Sequence, residues 1–416
     1  MPISESRLSE IRSLANAARD KKASLGPDID LEKFKEFVQR NRVENLSSLN
    51  SQVREAAIMS GMDIAEEVRS GSFVQLNHSV IYESLNKKYK DQLQIMSTDD
   101  AVEKFDFIED YFWRIVKPDQ DKYTAAVALN PTHGYFMRVF ANQHVEYPLQ
   151  ACLLVDENNI SQNVHNIIIV EEGASLNVIT GCSLSKSDAY GIHLGISEFY
   201  VKRGGSLTFT MIHNWADNFD VRPRTGVYLE EGAKYVNNYI LLKPVKSIQS
   251  APNVYLAGEN AVVQFNNVIY GLGNSYIDLG SKMYLDAPNT RAESIARAIA
   301  ADRSIIYSRG DMIARTKEAC MAHLDCRGIV FSKEATMYAI PALVSEGSVK
   351  ALLSHEASIG PISQEQVEYL MSRGIEKDDA VSLITTGFLN LNIPYIPTFI
   401  ENKIRDIINA TAKEAL

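Results

Sequence analysis

The chain has 416 residues, 45% of them hydrophobic and 23% charged, with 52 acidic residues against 42 basic ones and a formal net charge of −10. That length holds two or three domains, and an acidic balance without a Lys/Arg-rich run among aromatics argues against a nucleic-acid surface. No run reaches the roughly 18 consecutive apolar residues of a membrane helix, and Glu5, Arg7, Glu10, Arg12, Arg19 and Lys21 interrupt any signal-peptide core, so a cytoplasmic protein without a membrane partner is expected.

The first part, 1–128, reads as a mainly helical region. Residues 3–24 and 31–42 are charged and punctuated by alanine or leucine. Ser97, Thr98 and Asp99 offer capping oxygens to a following helix. That helix is expected to align Val102, Phe105, Ile108, Phe112 and Ile115 at intervals of three and four and to end before Pro118.

From 129 to 361 the pattern changes to short β-type runs broken by Gly, Asn and Asp. One unit recurs: an apolar run, a charged pair, a glycine with a small residue, and another apolar run. It is read as IIIVEEGASLNVI (167–179), FYVKRGGSLTFTMI (199–212), GVYLEEGAKYVNNYIL (226–241) and, more loosely, VYLAGENAVVQFNNVIY (254–270). The apolar residues ahead of the turns, Val170, Val201, Leu229 and Leu256, follow at intervals of 31, 28 and 27 residues. A fixed period means stacked repeats. No helical pattern separates the strands, so a parallel β-helix fits better than a βαβ sheet. A β-sandwich is the alternative, although its turns usually come every 8–12 residues.

The last part, 362–416, is helical again. Ser363 and Gln366 open a helix, Val367, Leu370 and Met371 make its stripe, and Gly374 stops it. A second helix carries Ala380, Leu383 and Ile384. Pro394 and Pro397 precede a third, amphipathic through Ile404, Ile407 and Ile408.

Four cysteines, Cys152, Cys182, Cys320 and Cys326, make no disulfide framework and no CxxC pair. Cys326 has His323 and Asp325 beside it, and His355 and Glu356 follow about one coil later. Neighbouring coils would then offer thiolate, imidazole and carboxylate, a ligand set for iron, although a lone strand cysteine is also a small buried hydrophobe. Cys182 has only Lys186 as a local cation, and packing is the better local reading. Cys152 and Cys320 also read as packing. Asp217 and Asp220 near Trp215 admit a polysaccharide-cleaving pair or a polar turn anchored by the tryptophan. There is no P-loop and no strand-linked GxGxxG, so any ATP is bound by another chain.

The tail is the most specific segment. ISQEQVEYLMSRGIEKDDAVSLITTGF (362–388) resembles the C-terminal segment of SufB/SufD proteins, which usually reads like ISEDQLFYLMSRGLSEEEA. HEASIGPIS (355–363) is similar to the family's HEATTSKIS, EYPLQACLL (146–154) to its IPLQAYF strand, and IIIVEEGASLNVITGCS (167–183) to its IIVEEGA and EGC block; HNW at His213–Trp215 takes the place of QNW. The resemblance covers roughly 130–390. It implies a right-handed parallel β-helix core flanked by N-terminal and C-terminal α-helical regions, and a scaffold on which a transient iron–sulfur cluster is assembled. It implies docking of a SufC-type ABC ATPase on the C-terminal helices, here through Gln366, Tyr369, Leu370, Met371, Arg373, Gly374 and Ala380. It also implies a homodimer or a heterodimer with a paralogue, a sulfur donor, and apo-protein acceptors. Carried over, Cys326 is the cluster ligand, Glu356 and His355 its partners, and Cys182 the sulfur acceptor. His213 departs from the family's glutamine, and the Cys326-to-Glu356 interval is one residue longer than usual. Cys326 with the HEA motif favours a SufB-like over a SufD-like role. Flavin binding is left open.

Overall fold

The apolar residues that precede each turn lie directly above one another. Parallel pairing carries Val139 to Val170, Val201, Leu229, Leu256, Leu285 and Ala314 in one unbroken row, and all of them are fully buried. The sequence period is therefore the coil of the fold. The computed structural model describes residues 3–389 except 66, 187, 242 and 348, together with 398 and 402. It is mainly β, a parallel β-solenoid of about eight turns with helices before and after it. Two long sheets, of ten and twelve strands, form its walls, and the main apolar core fills the space between them.

Six successive coils each turn through one residue in the left-handed conformation. Asn142, Gly173, Gly204, Gly232, Asn260 and Asn289 form this column, with φ between 57° and 66°. Glycine and asparagine adopt that conformation at least cost. The backbone N–H of each donates to a carbonyl of the next coil at 2.6–3.0 Å, so the turns stack as closely as the strands.

The N-terminal part differs from its helical expectation in three places. Helix Glu5–Ala17 forms, capped by Ser4, but 31–42 keeps only a short 3-10 turn at Leu31–Lys33. Neighbouring strands take its backbone donors instead: Val38 N–H bonds His78 Nδ1, Arg40 N–H bonds Ser79 Oγ, and Glu36 bridges Ile160. The expected helix through Ile115 ends at Lys104. Beyond it lie a 3-10 turn, Asp106–Asp110, and Trp113 at φ 55°. Third, Gly71–Leu76 and Ser79–Leu85 form an antiparallel hairpin, and the first of these strands pairs in parallel with Leu149–Val155. The ten-stranded sheet thus begins at Gly71, inside the segment read as helical.

Helices Gln364–Ser372 and Lys377–Leu389 lie where the tail pattern places them. Ser363 accepts from Gln366 N–H at 3.3 Å, and Gly374 turns the chain at φ 87°. The third C-terminal helix, through Ile404, Ile407 and Ile408, lies outside the described residues.

Candidate functional site

Alternation along a strand decides which side chains enter the solenoid. Strand Ser175–Leu184 turns Cys182 inward, with His213 as its register partner on Ser206–Asn214. Cys182 is fully buried, its sulfur is 3.9 Å from Met211 Sδ, and burial pushes the thiol well above its ordinary pKa. Beyond it is a chamber of about 60 Å³ lined by His193, His213, Tyr239, Asn237 and Asn267, among others.

Both chamber histidines are neutral, because burial lowers each pKa to about 3. His213 Nδ1 is hydrogen-bonded to Tyr239 Oη at 2.7 Å. Gln162 fixes the tautomer of His193. Its Nε2 donates to the carbonyls of Asn77 and Leu154, which leaves Oε1 to accept from His193 Nδ1–H at 2.9 Å. His193 Nε2 is then the basic nitrogen. The tryptophan of HNW is 3% exposed and stacks on Phe219 at 4.6 Å, with His193 and His213 on its flanks.

The second thiol lies at the other end of the same sheet. Register takes Thr180 to Met211, Tyr239, Asn267, Ala296 and finally Cys326. Five strand steps separate the Cys182 strand from that of Cys326, about 24 Å at the usual spacing. The inner wall is polar as far as Asn267 and then gives way to alanines. Cys326 is 2% exposed and faces Ser308 Oγ, 3.6 Å away on the opposite sheet. Burial raises its pKa, and the Ser308 hydrogen bond partly offsets this.

His355 and Glu356 lie on the neighbouring strand, Ala351–Gly360, but on opposite faces of it. Cys326 registers with Ala357, and Leu324 with His355. His355 therefore shares the inner face with Cys326, and its Nε2 is buried without a hydrogen-bond partner among the described residues. Glu356 registers with Asp325 and points outward, exposed, with Arg327 at 3.5 Å. Asp325 is held by Arg297 at 2.6 Å and Arg327 at 3.1 Å. This coil is 31 residues long at Cys326, so the thirty-residue interval to Glu356 falls one short and crosses the pleat. Among the described residues no group of three or more His, Cys, Asp or Glu side chains is placed to hold a metal ion.

The remaining candidates are placed as follows. Cys152 is fully buried with its thiol at about 12, and Cys320 is buried. Asp220 is spent on Lys246 at 2.7 Å and Ser247 at 2.5 Å, while Asp217 stands exposed on the turn, so the two do not face each other across a cleft. On the C-terminal helices Gln366, Tyr369, Met371, Arg373 and Gly374 are exposed, Leu370 is half-buried and Ala380 is buried. The guanidinium of Arg373 donates to Tyr369 Oη at 3.3 Å.

The sequence reading missed Glu198, a fully buried carboxylate on the outer face of Gly191–Val201. It accepts the backbone N–H groups of Trp113, Arg114, Ile115 and Val116 at 2.6–3.1 Å and bonds His165 Nε2 at 2.9 Å. A single glutamate in the apolar run GIHLGISEFYV was its signal, and His193 stands in the same run.

These features define a parallel solenoid with inner thiols at both ends of one sheet, Cys182 at one and Cys320 with Cys326 at the other, and a helical tail. The SUF system FeS cluster assembly, SufBD core domain, matches residues 153–388. An iron–sulfur cluster assembly SufBD family protein of Methanothermobacter thermautotrophicus (strain Winter) is 40% identical over 406 residues, covering 96% of this chain and 98% of the relative. Its counterpart in Archaeoglobus fulgidus is 40% identical over 356 residues, covering 86% and 94%. That of Pyrococcus horikoshii is 30% identical over 392 residues, covering 92% and 87%. The chain belongs to the SufBD family of iron–sulfur cluster assembly proteins.

Proposed function

We propose that this chain is a SufB-like scaffold on which a transient iron–sulfur cluster is built, not itself an enzyme, with ATP hydrolysed by a SufC-type ABC ATPase. The observation that carries the reading is that inward thiols stand at two ends of one sheet, Cys182 beside the polar chamber and Cys326, with Cys320 on its own strand, beside His355 at the last coils. Cys182 accepts sulfur from a donor, and Cys326 with His355 holds the iron of the growing cluster before it passes to apo-protein acceptors. A nitrogen ligand holds iron less firmly than a second thiolate and lets the cargo leave.

Pairing follows from the bare last coils. Tyr338, Ile340, Leu343, Val344, Leu352 and Ile359 are exposed on the strands Thr336–Ser345 and Ala351–Gly360. An unpaired apolar strand edge calls for a partner strand, from a second copy or a paralogue. Glu356, which faces away from Cys326 within one chain, joins the ligand set only when these strands move or a partner strand arrives. Exposed Tyr369, Met371 and Leu383 on the tail helices support docking of the ATPase there. Four buried cysteines with no disulfide among them suit a reducing cytoplasm, and no helix of the described residues is long and apolar enough to cross a membrane.

A second reading, a SufD-like partner that holds no cluster alone, is favoured by the outward Glu356. Anaerobic reconstitution with iron and sulfide, with and without the ATPase, separates the two. Visible absorption and bound iron that disappear in Cys326→Ser support the scaffold. Absence of cluster under both conditions establishes the structural role.

A further inference from the structure

On the outside of the solenoid, against the Cys182 coil, lies a groove of about 660 Å³ between helix Ser51–Met59 and the loops at 214–218 and 243–244. It is lined by Glu55, Ser185, Asn214, Trp215, Asp217 and Lys243, among others. Two of its polar atoms are buried without a hydrogen-bond partner among the described residues: Trp215 Nε1 and Ser185 Oγ. Buried donors of this kind cost free energy until an acceptor arrives. Trp215 also touches both chamber histidines, with ring centres at 5.4 and 5.7 Å. One indole therefore lies between the groove and the chamber histidines. It follows directly on Asn214, whose register partner Ser183 is the residue after Cys182.

We propose that this groove binds a small amino-acid persulfide and is the entrance to Cys182, with Trp215 as the partition. The proposal rests on Cys182 being the sulfur acceptor. The groove carries both signs of charge, which suits a zwitterion: Glu55 and Asp217 for the α-ammonium, Lys243 for the carboxylate, and the indole N–H and Ser185 hydroxyl for acceptor atoms. The indole is 3% exposed and packed against Phe219, His193 and His213, so the amino acid stays in the groove and only sulfur passes. In the transfer, the Cys182 sulfur attacks the sulfane sulfur of the donor. An S–S bond forms on Cys182 while the donor's S–S bond breaks, and the donor leaves as a thiol carrying the Cys182 proton. Nothing is oxidised or reduced overall.

The test uses the full chain under anaerobic conditions, with cysteine persulfide as sulfur donor and iodoacetamide as a probe of access, both read by mass spectrometry at each cysteine. In Trp215→Ala, alkylation of Cys182 is expected to rise by about tenfold or more, while Cys152, on the outer face of the adjoining strand and covered by helix Ser51–Met59, keeps its rate. Gln52→Trp, an exposed position on the groove wall, is expected to cut one-sulfur transfer to Cys182 several-fold with an unchanged melting temperature. Equal acceleration of Cys152 and Cys182 in Trp215→Ala, or full transfer in Gln52→Trp, overturns the entrance. If both variants behave as expected but Cys182→Ser still assembles cluster normally, the entrance stands and the acceptor role of Cys182 falls.

Discussion

The two halves of the solenoid are finished in opposite ways. Around the early coils the N-terminal segments wrap the sheets and are clasped to them by buried charges. Glu198 gathers four backbone N–H groups, Arg224 pairs with Asp121 at 2.7 Å, and Arg222 reaches the carbonyl of Pro27 at 2.9 Å. Around the last coils the described residues supply only the tail helices, packed at Ile299 and Ile329, and apolar side chains of the last strands face outward. A solenoid needs closed ends to stay soluble. The wrapped half therefore reads as the stable vessel around Cys182, and the bare half is where the proposed pairing would take place, beside Cys326.

The sharpest way to break this contrast is to open the clasp. Glu198→Ala strands four N–H groups and His165, and should lower unfolding free energy by about 3–5 kcal/mol in urea titration. Acid attacks the same half. His193 and His213 have folded pKa values near 3, below the ordinary 6.5, so the unfolded chain takes up protons first. Stability is intact above pH 6.5 and is lost as pH falls towards 3, by about 2 kcal/mol per histidine at pH 5. Denaturation curves of His193→Gln should show a flatter acid limb. At the bare end the expectation reverses. Leu352→Asp should change the stability of the single chain by less than about 0.5 kcal/mol and abolish pairing in sedimentation. Smallest of all, Tyr369→Ala should leave the melting temperature unchanged and weaken only co-elution with the ATPase.

The same contrast explains what the sequence could show. The recurring positions Val170, Val201, Leu229 and Leu256 turned out to be register partners because burial on both walls leaves a coil only one alignment. The tail helices were equally legible from Ser363 and Gly374, whose caps are local. Residues 31–42 were not, since their charged, leucine-punctuated pattern is overruled by strands that claim their N–H groups. Trp113 at positive φ is likewise set by Glu198, a residue 85 positions away. The candidate ligands were legible as residue types, but not their faces. One residue of coil length decides whether Glu356 points at Cys326 or away from it, and that length is fixed by pairing across the coil.

The column of left-handed turns has a consequence for how such molecules change size. Six successive coils repeat the same corner, so a whole coil can be gained or lost there while every column stays in phase, whereas a single residue added within a wall turns its strand inside out. The separation between the two thiols is therefore graduated like a ruler, in marks of about 4.8 Å. Relatives of different length should differ by whole marks between these positions, with odd residues confined to the loops outside the walls.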